Sequence, residues 1–175
     1  MRAKSTSCVT ATVSDALSKP LAATISADVT AADVAIPGPG SKSLTGEDLA
    51  GNQTTVACPY LVRYAFLGFQ QPIPPGSVKG GSTIPVKFRL SGNQGLNIFK
   101  SGSPASASYT CSGTAPTDAI EQTVTASTSG LSYDATTDQY TYVWKTDKAW
   151  AGSCRALVAK LADNTTKTAN FQFTK

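Results

Sequence analysis

Apolar and polar residues alternate at a period of two along most of this chain, and blocks of proline and glycine break the alternation. A strand turns successive side chains to opposite faces, so the pattern marks half-buried β-strands. "CVTATVSD" (8–15) and "LAATISADV" (21–29) read this way, and "QTTVACPYLVRY" (53–64) reads as a longer strand. Between them, "IPGPG" (36–40) is a turn block that neither a helix nor a central strand would tolerate, and "GEDLAGN" (46–52) is a second turn. The first 63 residues therefore predict about four strands, fewer than the roughly seven of a complete immunoglobulin-like sandwich.

Beyond "QQPIPPGSVKGG" (70–81), which reads as a linker or long loop, strand signals resume. In "TIPVKFRL" (83–90), Ile84, Val86, Phe88 and Leu90 form the core face, and Thr83, Pro85, Lys87 and Arg89 the wet one. Pro85 has no N–H for a ladder, which predicts an edge strand or an amide position turned out of the sheet. "ASYTCSG" (107–113), "IEQTVTAS" (120–127), "LSYD" (131–134), "QYTYVWKT" (139–146), "RALVAKLA" (155–162) and "TKTANFQF" (166–173) supply further strands. Tyr140, Tyr142 and Trp144 share one face. The last two strands form a hairpin, with Asp163-Asn164 as turn chemistry and Phe171 and Phe173 answering Leu157, Ala159 and Leu161. Helical periodicity is absent apart from a turn near "LNIFKSG" (96–102). The class is all-β.

Composition narrows the setting. Of 175 residues, 41% are hydrophobic and 15% charged, which suits a folded chain rather than a disordered tail. Residues 1–63 hold five cations and five anions, so the formal charge of +4 arises wholly from the ten cations and six anions of residues 64–175. Those cations are scattered singly along strands, unlike the clustered basic patches that bind nucleic acid, and no nucleic-acid partner is expected. No apolar run reaches transmembrane length, so no membrane span is expected. The basic start lacks the apolar stretch of an intact secretory signal.

Cys8, Cys58, Cys111 and Cys154 are spaced too widely for paired metal knuckles, and the chain has no histidine, so no metal or other cofactor is expected. The even count fits two disulfides and an oxidising, extracellular setting. Of the three connectivities, Cys8–Cys58 with Cys111–Cys154 is the simplest. Without histidine, Ser-His and Cys-His nucleophiles cannot form within the chain. Asp134, Asp138 and Asp163 fall in turn signals, where a carboxylate bonds nearby backbone amides rather than substrate. No enzyme is expected. Trp150, in "KTDKAWAGSC" (145–154), is the candidate ligand-binding residue, because an indole can stack on a sugar ring; packing beside Cys154 is the competing role.

"FLGFQQPI" (66–73), "VKGGSTIPVKFRLSGNQGLNIF" (78–99) and "LSYDATTDQYTYVWKTDKAWAGSCRALVAKLADNTTKTANFQF" (131–173) together resemble the PxKF module of bacterial secreted and surface proteins. Its signature stands here as Pro85-Val86-Lys87-Phe88, and Cys111 and Cys154 fall where that family tends to place its pair. Residues 9–63, ending "GEDLAGNQTTVACPYLVRY", resemble the last strands of a bacterial immunoglobulin-like or HYR-type repeat. The resemblance implies two tandem immunoglobulin-like β-sandwich modules, 1–63 and 64–175, the first short or incomplete. It implies a non-enzymatic structural or adhesive segment outside the cell, and it attaches no activity to the module itself. The partners expected are other copies of the chain or cell-surface polymers, carbohydrate among them. A carbohydrate-binding module, or an accessory domain of a secreted enzyme, is the alternative.

Overall fold

The structure is a computed structural model. It describes residues 35–47, 51–70, 77–112 and 130–175, together with the backbone of 3–6, 10–13 and 23–26. The chain divides into two compact units, Arg2–Tyr64 and Ala65–Lys175. Both are built from strands; the described residues contain no α-helix and none long and apolar enough to cross a membrane.

In the first unit, β1 (Ala3–Thr6), β2 (Thr10–Val13), β3 (Ala23–Ser26), β4 (Gly38–Glu47) and β5 (Gln53–Arg63) make five strands where the sequence predicts about four. β5 is central in a three-stranded antiparallel sheet of order β1-β5-β4, and β2 and β3 form a separate two-stranded ribbon. The "IPGPG" block is not all turn: β4 starts at Gly38 and takes in Pro39 and Gly40. An edge strand accepts what a central strand would not, because its outer side makes no ladder.

The ladder register explains both prolines of this sheet. Pro39 pairs with Leu61 and Pro59 with Ser41, two positions apart, so both belong to the same class of antiparallel pair. Were that class the bonded one, two hydrogen bonds would be lost. In the other class Pro39 faces away from β5, Pro59 faces the side where β1 ends at Thr6↔Tyr60, and the β4–β5 ladder loses nothing. On the inner face Tyr60 lies across Gly40, and a Cβ there would run into the ring.

The second unit holds β6 (Phe69–Gln70), β7 (Ser77–Lys79), β8 (Thr83–Phe88), β9 (Ala105–Tyr109), β10 (Leu131–Asp134), β11 (Gln139–Lys145), β12 (Cys154–Lys160) and β13 (Thr166–Thr174), with a 3-10 turn at Lys148–Trp150. They form two four-stranded sheets of order β10-β11-β8-β6 and β7-β13-β12-β9. The sheets meet through inward side chains, Trp144 of β11 lying 5.1 Å from Phe171 and 6.0 Å from Phe173 of β13. Ile84, Val86, Phe88 and Leu90 are all buried, as are Tyr140, Tyr142 and Trp144. Burying each such side chain is worth about 1.5–3 kcal/mol.

Two expectations need correction. β8 is not an edge strand, since β11 and β6 flank it; yet β6 reaches only Phe88 and Lys87, and no described strand lies beside Pro85 on that side. The 70–81 stretch is not simply a linker. Ser77–Lys79 pairs in parallel with Gln172–Thr174, Gly80 packs tightly on the backbone of Lys148 and Ala151, and a side chain at Gly81 would collide with Lys148. The turn expected near 96–102 is present at 101–102, next to an isolated bridge from Phe99 to Leu161. The expected strand at 120–127 lies outside the described residues.

Candidate functional site

Trp150 sits in the 3-10 turn that joins β11 to β12, and Asp147 caps that turn by accepting a hydrogen bond from the Ala149 amide at 2.9 Å. The indole is half-buried, 5.7 Å from Trp144 and 5.5 Å from Phe173, centroid to centroid. The Arg155 guanidinium lies 4.5 Å from its ring centre. Arg155 occupies the inner side of β12, opposite Phe171, and its Nη1 donates to Ser106 Oγ at 3.1 Å. Ser106 is almost fully buried. A cation held between an indole and a buried hydroxyl keeps favourable partners in a site that would otherwise penalise its charge. The rings nearest Trp150 thus belong to the core of its own unit. The alternation in "RALVAKLA" places Arg155 in line with Leu157, but nothing in that strand announces the indole that covers it.

The cysteines fall as follows. Cys111 and Cys154 form a disulfide with their Cα atoms 5.2 Å apart. It ties the end of β9 to the start of β12, which the sheet already places side by side, Cys154 pairing with Tyr109. Cys58 is buried in β5 and is disulfide-bonded. Cys8 lies outside the described residues.

The opposite end of the sheet, away from Trp144, carries a constellation that the alternation does not reveal. Tyr140 is fully buried and stacks on Phe88 at 5.4 Å. Its hydroxyl accepts from the Gln94 amide and donates to the Gly95 carbonyl at 3.1 Å, with Asn93 Oδ1 also in reach at 3.4 Å. Beside it, Asp138 Oδ1 accepts from the Gly92 amide and from the Tyr133 hydroxyl, both at 2.9 Å. Burial pushes the Tyr140 hydroxyl above its ordinary pKa, and the Asp138 charge adds to the shift against the Gln94 amide. Partial burial and the Asp138 carboxylate raise Tyr133 as well. The group ties the 91–95 loop to the β10–β11 hairpin.

Every carboxylate among the described residues is engaged in this way. Asp134 accepts from the Thr136 amide and the Thr137 hydroxyl at 2.9 and 2.8 Å, which holds its pKa below the usual carboxylate value. Asp163 is buried in the β12–β13 turn and accepts from both the amide and the hydroxyl of Thr165. Glu47 accepts from Gln53 Nε2 at 2.8 Å across the β4–β5 hairpin. With Asp138 and Asp147, that accounts for all five.

Two pockets open among the described residues. One of about 350 Å³ in the first unit is lined by residues 36–40 with Tyr60 and Val62. Another of about 200 Å³ in the second unit lies among residues 101–103, Ala105, Val158, Lys160 and Thr166. Trp150 borders neither. Compared with known proteins, the chain matches no family model, no curated protein and no solved structure.

Proposed function

We propose that this chain is a non-enzymatic, extracellular structural or adhesive segment of a bacterial surface or secreted protein. On this reading it is a pair of immunoglobulin-like β-sandwich modules, the second of the PxKF kind, assembling with neighbouring chains or resting on cell-surface polymers. One observation carries the proposal: all five described carboxylates are committed to stapling turns, loops and a hairpin end. Groups so engaged hold geometry; they are not poised to exchange protons with a substrate. The Cys111–Cys154 bond adds the covalent bracing that suits an oxidising compartment.

The test is a pull-down of the oxidised chain on purified bacterial cell-wall polysaccharide, run beside hydrolase assays on ester and glycoside substrates. Retention on the polymer without turnover is the expected result. Catalytic turnover abolished by Asp134→Asn or Asp138→Asn would overturn it. A Trp150→Ala variant separates the carbohydrate-module alternative: retention unchanged from the parent chain removes Trp150 from the contact surface.

A further inference from the structure

The ladder between β9 and β12 starts at Ala105, which pairs with Val158, and residues 100–103 serve the last stretch of β12 in its place. The Lys100 amide donates to the Lys160 carbonyl at 3.0 Å, and the Lys160 amide donates to Ser103 Oγ at 2.7 Å. A turn rather than a strand thus satisfies both backbone groups of Lys160. The turn is closed by the Ser103 amide on the Lys100 carbonyl at 3.0 Å, and Gly102 sits in it at φ 75°, a conformation glycine adopts without strain.

Val158 and Lys160 have the parity opposite to Leu157 and Ala159, so their side chains leave β12 on the face turned away from the facing sheet. On that face the turn and the strands enclose the pocket of about 200 Å³ described above. Ala105 and Val158 supply its apolar wall, and Ser101, Ser103, Lys160 and Thr166 its polar one. Lys160 stands opposite Thr166 in the ladder. The lining therefore carries one charge, an ammonium, and three hydroxyls able to donate. Ser103 Oγ accepts the Lys160 amide and still has its O–H to give. No carboxylate, amide side chain or aromatic ring lines the space, so it lacks the acceptors and the stacking face that a neutral sugar would use. It is also small. At about 30 Å³ per water it holds roughly six or seven, which suits one terminal residue and not an oligosaccharide.

We propose that this pocket binds a carboxylate carried on a short apolar body: the free end of a peptide whose last residue is small. The Lys160 ammonium and the hydroxyls take the carboxylate, and Ala105 and Val158 take the body. This rests on the reading of the chain as a segment that meets cell-surface polymers, and it names the chemical end that such a polymer brings. Both ends of the 100–103 turn are held by β12, so its hydroxyls are in place before the ligand arrives, which lowers the cost of binding.

The test titrates the full oxidised chain with acetyl-alanyl-alanine and with its C-terminal amide, followed through backbone amide chemical shifts. Saturable shifts at Gly102, Ser103, Lys160 and Thr166 with the acid, and none with the amide, are the expected result. Lys160→Met removes the cation and is expected to weaken binding about ten- to a hundredfold, whereas Lys160→Arg keeps it. Lys160 is exposed, so both variants should retain the circular dichroism of the parent. Acetyl-tryptophan offers the same carboxylate on a body too large for the space and is expected not to bind. Propionate offers it as a free acid: tighter binding by the peptide supports a chain end, and equal binding overturns the chain end in favour of a free acid. No saturable shift with the acid, equal binding of acid and amide, or binding that survives Lys160→Met would overturn the pocket assignment. If such a chain is still retained on cell-wall polymer, the broader functional reading stands without it.

Discussion

Tyr140 does two jobs at once: its ring fills the core against Phe88, while its hydroxyl holds the 91–95 loop in place. Tyr140→Phe keeps the ring and leaves the Gln94 amide without its acceptor. We expect a loss of about 1–3 kcal/mol in chemical denaturation, with faster hydrogen exchange at Gln94 as the local signature. The ionisations nearby set two pH windows. Asp134 has a lowered pKa in the fold, so its contribution is complete above the ordinary carboxylate value and fades as pH falls through the folded one. Tyr140 has a raised pKa, so the fold holds its proton more tightly, and stability falls as pH climbs past the ordinary tyrosine value of about 10. Denaturant melts across the full pH range should show losses at both ends, and Tyr140→Phe should flatten the alkaline arm.

Strands with one buried face were legible in the sequence, because a period-two pattern records which side meets the core. β8, β11 and β13 show it: Phe88, Tyr140, Trp144, Phe171 and Phe173 all point where their parity places them. Two- and three-residue strands were not. Nothing local to Ser77–Lys79 announces a ladder whose partner, Gln172–Thr174, lies at the other end of the unit. "IPGPG" was misread for a related reason: whether proline breaks a strand depends on which neighbour its nitrogen faces, and that is a property of the sheet. The candidate site divided along the same line. Trp150 stood out as an indole, but its partner Arg155 stands on another element, and only the fold brings the two together. Gly40 gives an element-level test. Gly40→Val drives a branched side chain into Tyr60 on the facing strand. We expect about 1–3 kcal/mol of destabilisation confined to the first unit, read as an earlier melting transition for residues 2–64.

At the scale of the molecule, the two units differ in charge, and a disulfide braces the second. The formal charge is zero over residues 2–64, where five cations meet five anions, and +4 over 65–175. The Cys111–Cys154 bond spans a sequence separation of 43. By the chain-entropy relation its closure is worth about 4 kcal/mol. Cys111→Ala with Cys154→Ala should therefore lower the second unit's unfolding free energy by that order. Reductant should have little further effect on that unit's melting in the variant.

The parallel pairing of β7 with β13 has a mechanical consequence. β7 is the first strand after β6 in the second unit, and β13 is its last, ending at Thr174. Because the two run the same way, pulling the unit by its two ends drags them in opposite directions along their common axis. All their hydrogen bonds then carry load together, instead of opening one at a time as in an antiparallel hairpin pulled from its free ends. The disulfide sets a second limit, since the chain between Cys111 and Cys154 cannot lengthen while the bond holds. That withholds about 150 Å of extension at the 3.3–3.6 Å per residue of a taut chain. Single-molecule stretching of the oxidised second unit should show one high-force rupture followed by a short release. Adding reductant should lengthen the release by that amount.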